Sequence, residues 1–176
     1  MVIITISGTP GSGKSTIGHL LKKKLGINYI YSGENFRETA KNYKMSLEEF
    51  GEYCEKNENI DKKLDEKQLN ILKKGDVILE GRLAGWIAKK NNINALKIMI
   101  NADLEIRIKR IIEREGGDYS KRLKEVLKRE KSEEDRYRKY YDINIKDTSI
   151  YDLIIDSSDK NPMEIIEIII KKMKND

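Results

Sequence analysis

A lysine and a pair of hydroxyls close a glycine-rich run near the start of the chain, Gly8-Thr9-Pro10-Gly11-Ser12-Gly13-Lys14-Ser15-Thr16. The run fits the phosphate-loop pattern G-x-x-x-x-G-K-[ST] in full, and each residue type has a use in it. Gly8, Gly11 and Gly13 permit backbone angles and a close approach that a β-carbon would block. Successive N–H groups and a helix N-terminus can then surround a phosphate. Lys14 would reach the β- and γ-phosphates of a nucleoside triphosphate, and the Ser15 hydroxyl, with Thr16 beside it, would hold Mg²⁺. The alternative is a glycine-rich turn that binds nothing, but the setting argues against it. The apolar run Val2-Ile3-Ile4-Thr5-Ile6 precedes the motif and reads as a buried strand, and a helix is expected to start near Lys14 and stop at Gly26.

Arginines are the second chemical signal. Arg129 and Arg136 stand at i, i+7 with Glu133 between them at i+4, so a helix would bring all three near one face. Two guanidinium groups and a carboxylate on one stripe could grip phosphate oxygens and a base or sugar hydroxyl. Arg110 and Arg114 form a similar i, i+4 pair just before Gly116-Gly117-Asp118. Each arginine alone reads as a surface ion pair with a nearby Glu. Their grouping suits phosphoryl transfer, where several cations neutralise the charge spread over the moving group. No general base stands out, and a phosphate-oxygen nucleophile needs none, which fits a chain with one histidine, His19.

These residues need a scaffold, and the apolar pattern supplies one. Strands are expected at Val2 to Ile6, Ile27 to Tyr31, Val77 to Leu79, Ala95 to Ile100 and Tyr151 to Ile155, with helices between them. Short buried strands alternating with helices predict a five-stranded parallel sheet in a three-layer α/β/α phosphate-loop fold. Glu34 to Lys74 reads as a charged helical insert between the second and third strands. Glu80-Gly81-Arg82 falls at the C-terminal end of the third strand, the edge at which open α/β sheets bind ligands. A polar helix is expected from about Ser120 to Tyr141, and Pro162 opens a last amphipathic helix.

The length of 176 residues predicts one domain. A net charge of +5 and a pI near 9.0 could point to nucleic acid, yet Lys and Glu are interleaved along the chain, as on a solvated helix surface. The single cysteine, Cys54, excludes an internal disulfide and reads as a packed helix residue. No apolar run approaches a membrane span and the chain opens directly into a strand, so a soluble cytoplasmic monomer is expected, with no nucleic-acid or membrane partner.

The phosphate loop, the helical insert, Ser32-Gly33-Glu34-x-Phe36-Arg37, the run LEGRLAGW from Leu79 to Trp86, and the closing R-x-x-S-E-x-x-R resemble the nucleoside monophosphate kinases. Within that family the chain is most similar to the archaeal type of cytidylate kinase, over essentially its whole length. The resemblance implies Mg²⁺-dependent transfer from ATP to CMP or dCMP. It implies that Arg37 and Arg82 hold the phosphate of the monophosphate and that Ser32, Gly33 and Gly81 line its pocket. The cytosine amino group calls for a carboxylate acceptor, for which Asp61 and Glu133 are the candidates. Arg110, Arg114, Arg129 and Arg136 would clamp the ATP phosphates, with Lys14, Arg82, Arg129 and Arg136 acting on the transferring group. Ser15 and Glu80 would serve the metal, Glu80 directly or through water, in a place where many relatives carry Asp. The loop Ser157 to Asn161 would cover the adenine. A core of 1–31, 73–114 and 131–176, a monophosphate-binding insert of 32–72 and a lid at about 115–130 follow from the same likeness. An adenylate or other small-metabolite kinase, or an RNA-associated switch ATPase, would share the loop and the basic residues.

Overall fold

Successive residues of a strand point to opposite faces, and here the two faces meet different helices. A computed structural model describes residues 1–175. Strands β1 (Ile3–Ser7), β2 (Asn28–Tyr31), β3 (Val77–Glu80), β4 (Leu96–Asn101) and β5 (Leu153–Asp156) form one sheet in the order β2-β3-β1-β4-β5. All four pairings are parallel, with Ile4 opposite both Ile78 and Leu96. On one face Ile4, Ile6, Ile78, Ile98 and Ile100 pack with Ile17 and Leu21 of α1 (Lys14–Leu25) and with Ile165, Ile166 and Ile169 of α8 (Pro162–Asn175). On the other, Val77 and Leu79 pack with Leu72 of α4 (Glu58–Lys74), with Leu83, Ala84, Ile87 and Ala88 around α5 (Ala84–Lys90), and with Tyr137 of α7 (Tyr119–Tyr141). The expected three layers are present.

Between β2 and β3 lie α2 (Ser32–Asn42), α3 (Leu47–Lys56) and α4. The stretch that reads as one charged helical run is thus three helices. Ser46 accepts from the Glu49 N–H and Glu49 accepts from the Ser46 N–H, a capping box that restarts the helix after Lys44 has taken a positive φ of 55°. The S-x-x-E spacing was the available signal. These helices share a small core of their own, in which Ala40, Phe50 and Cys54 are buried among Phe36, Met45, Leu47, Tyr53 and Ile60. Burial pushes the Cys54 thiol up to about 12, as expected for a packed and unreactive cysteine.

Two further differences bear on the site. Helix α2 begins at Ser32, directly after β2 and two residues before the expected start at Glu34, so Ser32 and Gly33 form its first turn. Helices α6 (Leu104–Glu115) and α7 meet at Gly116 and Gly117, with φ of 70° and 97°, and the Asp118 carboxylate caps α7 by accepting from Lys121 N–H at 3.0 Å. From there α7 is unbroken to Tyr141, so the boundary expected near residue 130 lies inside regular helix, and glycine loosens only one end of the segment. The fifth strand starts at Leu153 because Tyr151 closes a turn, its N–H donating to the Thr148 carbonyl. Among the described residues no helix is long and apolar enough to cross a membrane.

Phe50 is fully buried and meets the Phe36 ring edge-on at 4.8 Å. Replacing it with Ala should therefore lower stability by about 3–5 kcal/mol, read as a fall in the urea midpoint.

Candidate active site

The central strand β1 ends at Ser7 between β3 and β4, and residues 8–13 carry the chain over the sheet's C-terminal edge into α1. Gly13, with φ 85°, is the N-cap of α1, and a β-carbon placed on it would meet nothing within 4 Å, so the loop faces open space there. Gly11, with φ 78°, has the opposite surroundings: its β-carbon would lie 2.6 Å from the Arg107 carbonyl oxygen, which ties the loop closely to α6. Such a loop can cradle an anion, because the first N–H groups of a helix have no partner within it.

A cavity of about 150 Å³ runs from this loop to the face of α4. Its walls bring together Pro10, Gly11, Gly13, Lys14, Ser15, Thr16, Ser32, Gly33, Arg37, Asp61, Glu80, Gly81, Arg82, Arg114, Arg129, Glu133 and Arg136 from the expected set. Gly8, Thr9, Ser12 and Arg110 do not line it. The first three are the underside of the loop. Arg110 instead donates to the Ser157 hydroxyl at 3.0 Å and the Ser157 carbonyl at 2.7 Å, joining α6 to the loop after β5. Trp86 packs beside the core cluster under α5, away from the cavity, and His19 lies against the Tyr29 ring at 4.6 Å on α1.

Six cations and four carboxylates line the cavity, Lys14, Arg37, Arg82, Arg114, Arg129 and Arg136 against Asp61, Asp65, Glu80 and Glu133. The surplus positive charge calls for an anionic ligand. Glu133 sits between two arginines, accepting from Arg82 Nε at 2.8 Å and Arg129 Nε at 2.9 Å. Burial pushes its carboxyl up, but Arg82, Arg129 and Arg136 outweigh that and hold it below the usual carboxylate range. Arg136 gives Nη1 to both Asp61 oxygens, at 2.5 and 2.7 Å, while its Nε has no partner. Arg82 also donates through Nη1 to the Gly8 carbonyl. Arg37 stacks 5.7 Å from the Tyr31 ring centre, and Arg114 lies largely exposed against Glu115.

The two residues expected to serve the metal are in contact: Ser15 Oγ donates to Glu80 Oε1 at 3.1 Å. The other oxygen, Oε2, accepts from the Tyr29 hydroxyl. In the sequence Tyr29 is distinguishable only as a strand residue. Its place is built into α1, since a β-carbon on Gly18 would fall 2.2 Å from the Tyr29 ring. Nothing short of the fold could show that pairing. Among the described residues no group of three or more His, Cys, Asp or Glu could enclose a metal ion. The donors present fit a hard divalent cation that takes most of its oxygen ligands from phosphate and water.

The sequence profile of the cytidylate kinase-like family matches residues 3–159. The chain belongs to this family. A cytidylate kinase of Methanococcus vannielii is 46% identical over 98% of this chain and 100% of its own length, and one of Methanocaldococcus jannaschii is 42% identical over 99% and 98%. Among solved structures, shikimate kinase from Aquifex aeolicus superposes with a TM-score of 0.63 at 23% identity, covering 98% of this chain and 96% of that one. At that identity the likeness speaks for the fold alone.

In this family member Lys14 is buried, and its Nζ donates to the Thr9 carbonyl at 2.7 Å. Burial, and next the Arg82 charge, lower its amine to about 7. A polyphosphate in the loop would favour the charged amine and raise that value again, so binding must draw a proton as pH rises through 7. Affinity is then greatest below pH 7 and falls above it. Calorimetry of a non-hydrolysable ATP analogue at pH 8, in two buffers of different ionisation heat, should show uptake approaching about one proton that Lys14→Arg abolishes.

Proposed function

We propose that this protein transfers the γ-phosphoryl group of ATP to CMP or dCMP, giving ADP and CDP or dCDP. Family membership supports the reaction class, and one observation carries the reading: the phosphate loop and the Arg37, Arg82, Arg129 and Arg136 side chains open onto a single cavity. Donor and acceptor phosphates can then meet there. A kinase that kept its anion sites apart would have no use for that arrangement.

The loop N–H groups and Lys14 hold the β- and γ-phosphates, with Arg114 at the cavity rim and Arg110 bracing the loop after β5, which would lie over the adenine. Ser32, Gly33, Arg37, Gly81 and Arg82 receive the monophosphate, with Asp61 and Glu133 holding the arginines in place. A phosphate oxygen of the monophosphate forms the new bond to the γ-phosphorus, and the bond from that phosphorus to the β–γ bridging oxygen breaks, leaving ADP. Ser15 and Glu80 would hold Mg²⁺, which would supply charge neutralisation at the phosphate oxygens. Lys14, Arg82, Arg129 and Arg136 neutralise the charge carried by the equatorial oxygens during transfer. The arginines are already oriented by carboxylates, so little reorganisation is needed at the moment of reaction. No side chain need remove a proton.

Transfer to water would waste ATP. The helical insert, 32–72, and the segment near 115–130 flank the cavity, and their closure when both nucleotides are bound would exclude water.

Lys14→Ala should lower kcat by about 10²–10³-fold or more with the urea midpoint preserved, because Lys14 supports no core packing. Arg82→Ala and Arg37→Ala should raise the KM for CMP far more than they weaken binding of an ATP analogue. Unchanged CMP kinetics with lost analogue binding would reverse the two pockets.

A further inference from the structure

The two acids that sequence reading offered for the base, Asp61 and Glu133, are both engaged by arginines. Another pair on the cavity wall is not. Asp61, Leu64, Asp65 and Gln68 stand at i, i+3, i+4 and i+7 on α4 and all line the cavity. Gln68 is 7% exposed, and its Oε1 is buried with no hydrogen-bond partner. An orphaned amide oxygen is costly, and a ligand that satisfied it would gain what the free protein lacks.

The amide cannot turn freely. Its Nε2 donates to Asp65 Oδ1 at 2.8 Å, and Asp65 Oδ2 accepts from the Tyr141 hydroxyl at 2.5 Å, fixing the carboxyl from α7. With the nitrogen so occupied, the oxygen is what remains for a ligand. It lies against Gly81 and Ser32, where a β-carbon on Gly81 would come within 2.6 Å of Oε1 and 2.4 Å of Ser32 Oγ. Glycine at this position lets the amide approach the same wall that follows Glu80 and precedes Arg82.

We infer that Gln68 reads the base of the acceptor nucleotide, its Oε1 accepting from the exocyclic amino group of cytosine, with Asp65 and Tyr141 as positioning residues. The inference rests on the assignment of this cavity to a pyrimidine monophosphate. Uracil presents a carbonyl oxygen where cytosine presents the amino group, so oxygen would face oxygen. Flipping the amide would cure that clash only by breaking the Nε2 to Asp65 bond and setting Oε1 against the Asp65 carboxyl. The chain thus discriminates by leaving an acceptor unpaired if the wrong base enters.

The test is steady-state transfer from ATP to CMP and to UMP by the full chain. The wild type should prefer CMP. Gln68→Leu should lower kcat/KM for CMP by about 10- to 100-fold while leaving UMP within about 2-fold, so that the preference collapses. In Asp65→Asn the new amide can donate to Oε1 and turn Nε2 toward the base, which should move the preference toward UMP. An unchanged CMP to UMP ratio in Gln68→Leu overturns the role of Gln68. An equal loss for both bases in Asp65→Asn overturns the positioning role, and that variant decides the matter if Gln68→Leu fails to fold. A wild type indifferent between the two bases overturns the inference while leaving a monophosphate kinase intact. A wild type that phosphorylates neither removes the function reading itself, and the inference with it.

Discussion

Like charges repel, and the cavity must hold Lys14, Arg82, Arg129 and Arg136 together where water is scarce. Two like unit charges 4 Å apart repel each other by about 4 kcal/mol at an effective dielectric of 20, and burial adds to that cost. Four cations could not stay there alone. Glu133 bridges Arg82 and Arg129, and Asp61 accepts both of its bonds from Arg136. These carboxylates fix where α7 and α4 must run, because the pairs join residues far apart in the chain. Removing one partner would strand a buried charge, a change that typically costs 3–5 kcal/mol. The phosphates of two nucleotides add negative charge to a site already poised with a surplus of positive charge.

The parts of this protein legible in its sequence are local ones. A strand, a glycine loop and a helix start are set by neighbours a few residues apart, so β1, residues 8–13 and α1 lie where the pattern puts them, within a residue or two. The sheet follows from five short apolar runs. What escaped is nonlocal. Arg129, Glu133 and Arg136 share a helix face as their spacing predicts, yet nothing in the spacing shows that Arg136 meets Asp61, 75 residues earlier. Tyr29 and Gln68 looked like ordinary strand and helix residues, and only the third dimension brings one to Glu80 and the other to Gly81. Arg110 teaches the reverse. Its i, i+4 spacing with Arg114 suggested a matched pair, while the fold sends one to Ser157 and the other to the solvent edge.

The carboxylate of Glu80, proposed to serve the metal, shows how a longer side chain is tamed. Glu has one more rotatable bond than Asp and would scatter its oxygens more widely. Here each oxygen has a donor of its own, Ser15 for Oε1 and Tyr29 for Oε2. The ring that carries the second donor needs the notch left by Gly18, so a residue without any side chain contributes to the placement of the Glu80 charge.

Helix α7 carries the arginines and also touches the insert, through Arg136 to Asp61, through Lys128 to Glu52 at 2.8 Å and through the Tyr140 hydroxyl to the Cys54 and Glu55 carbonyls at 2.8 and 2.6 Å. Its 23 residues make a rod about 35 Å long, with glycines at one end only. A rod cannot bend in its middle to serve one nucleotide and leave the other undisturbed. In the proposed reaction, whatever tilts it at the donor phosphates would also shift the helices that hold the acceptor, so the two nucleotides would be thermodynamically linked, each altering the other's affinity by the same factor.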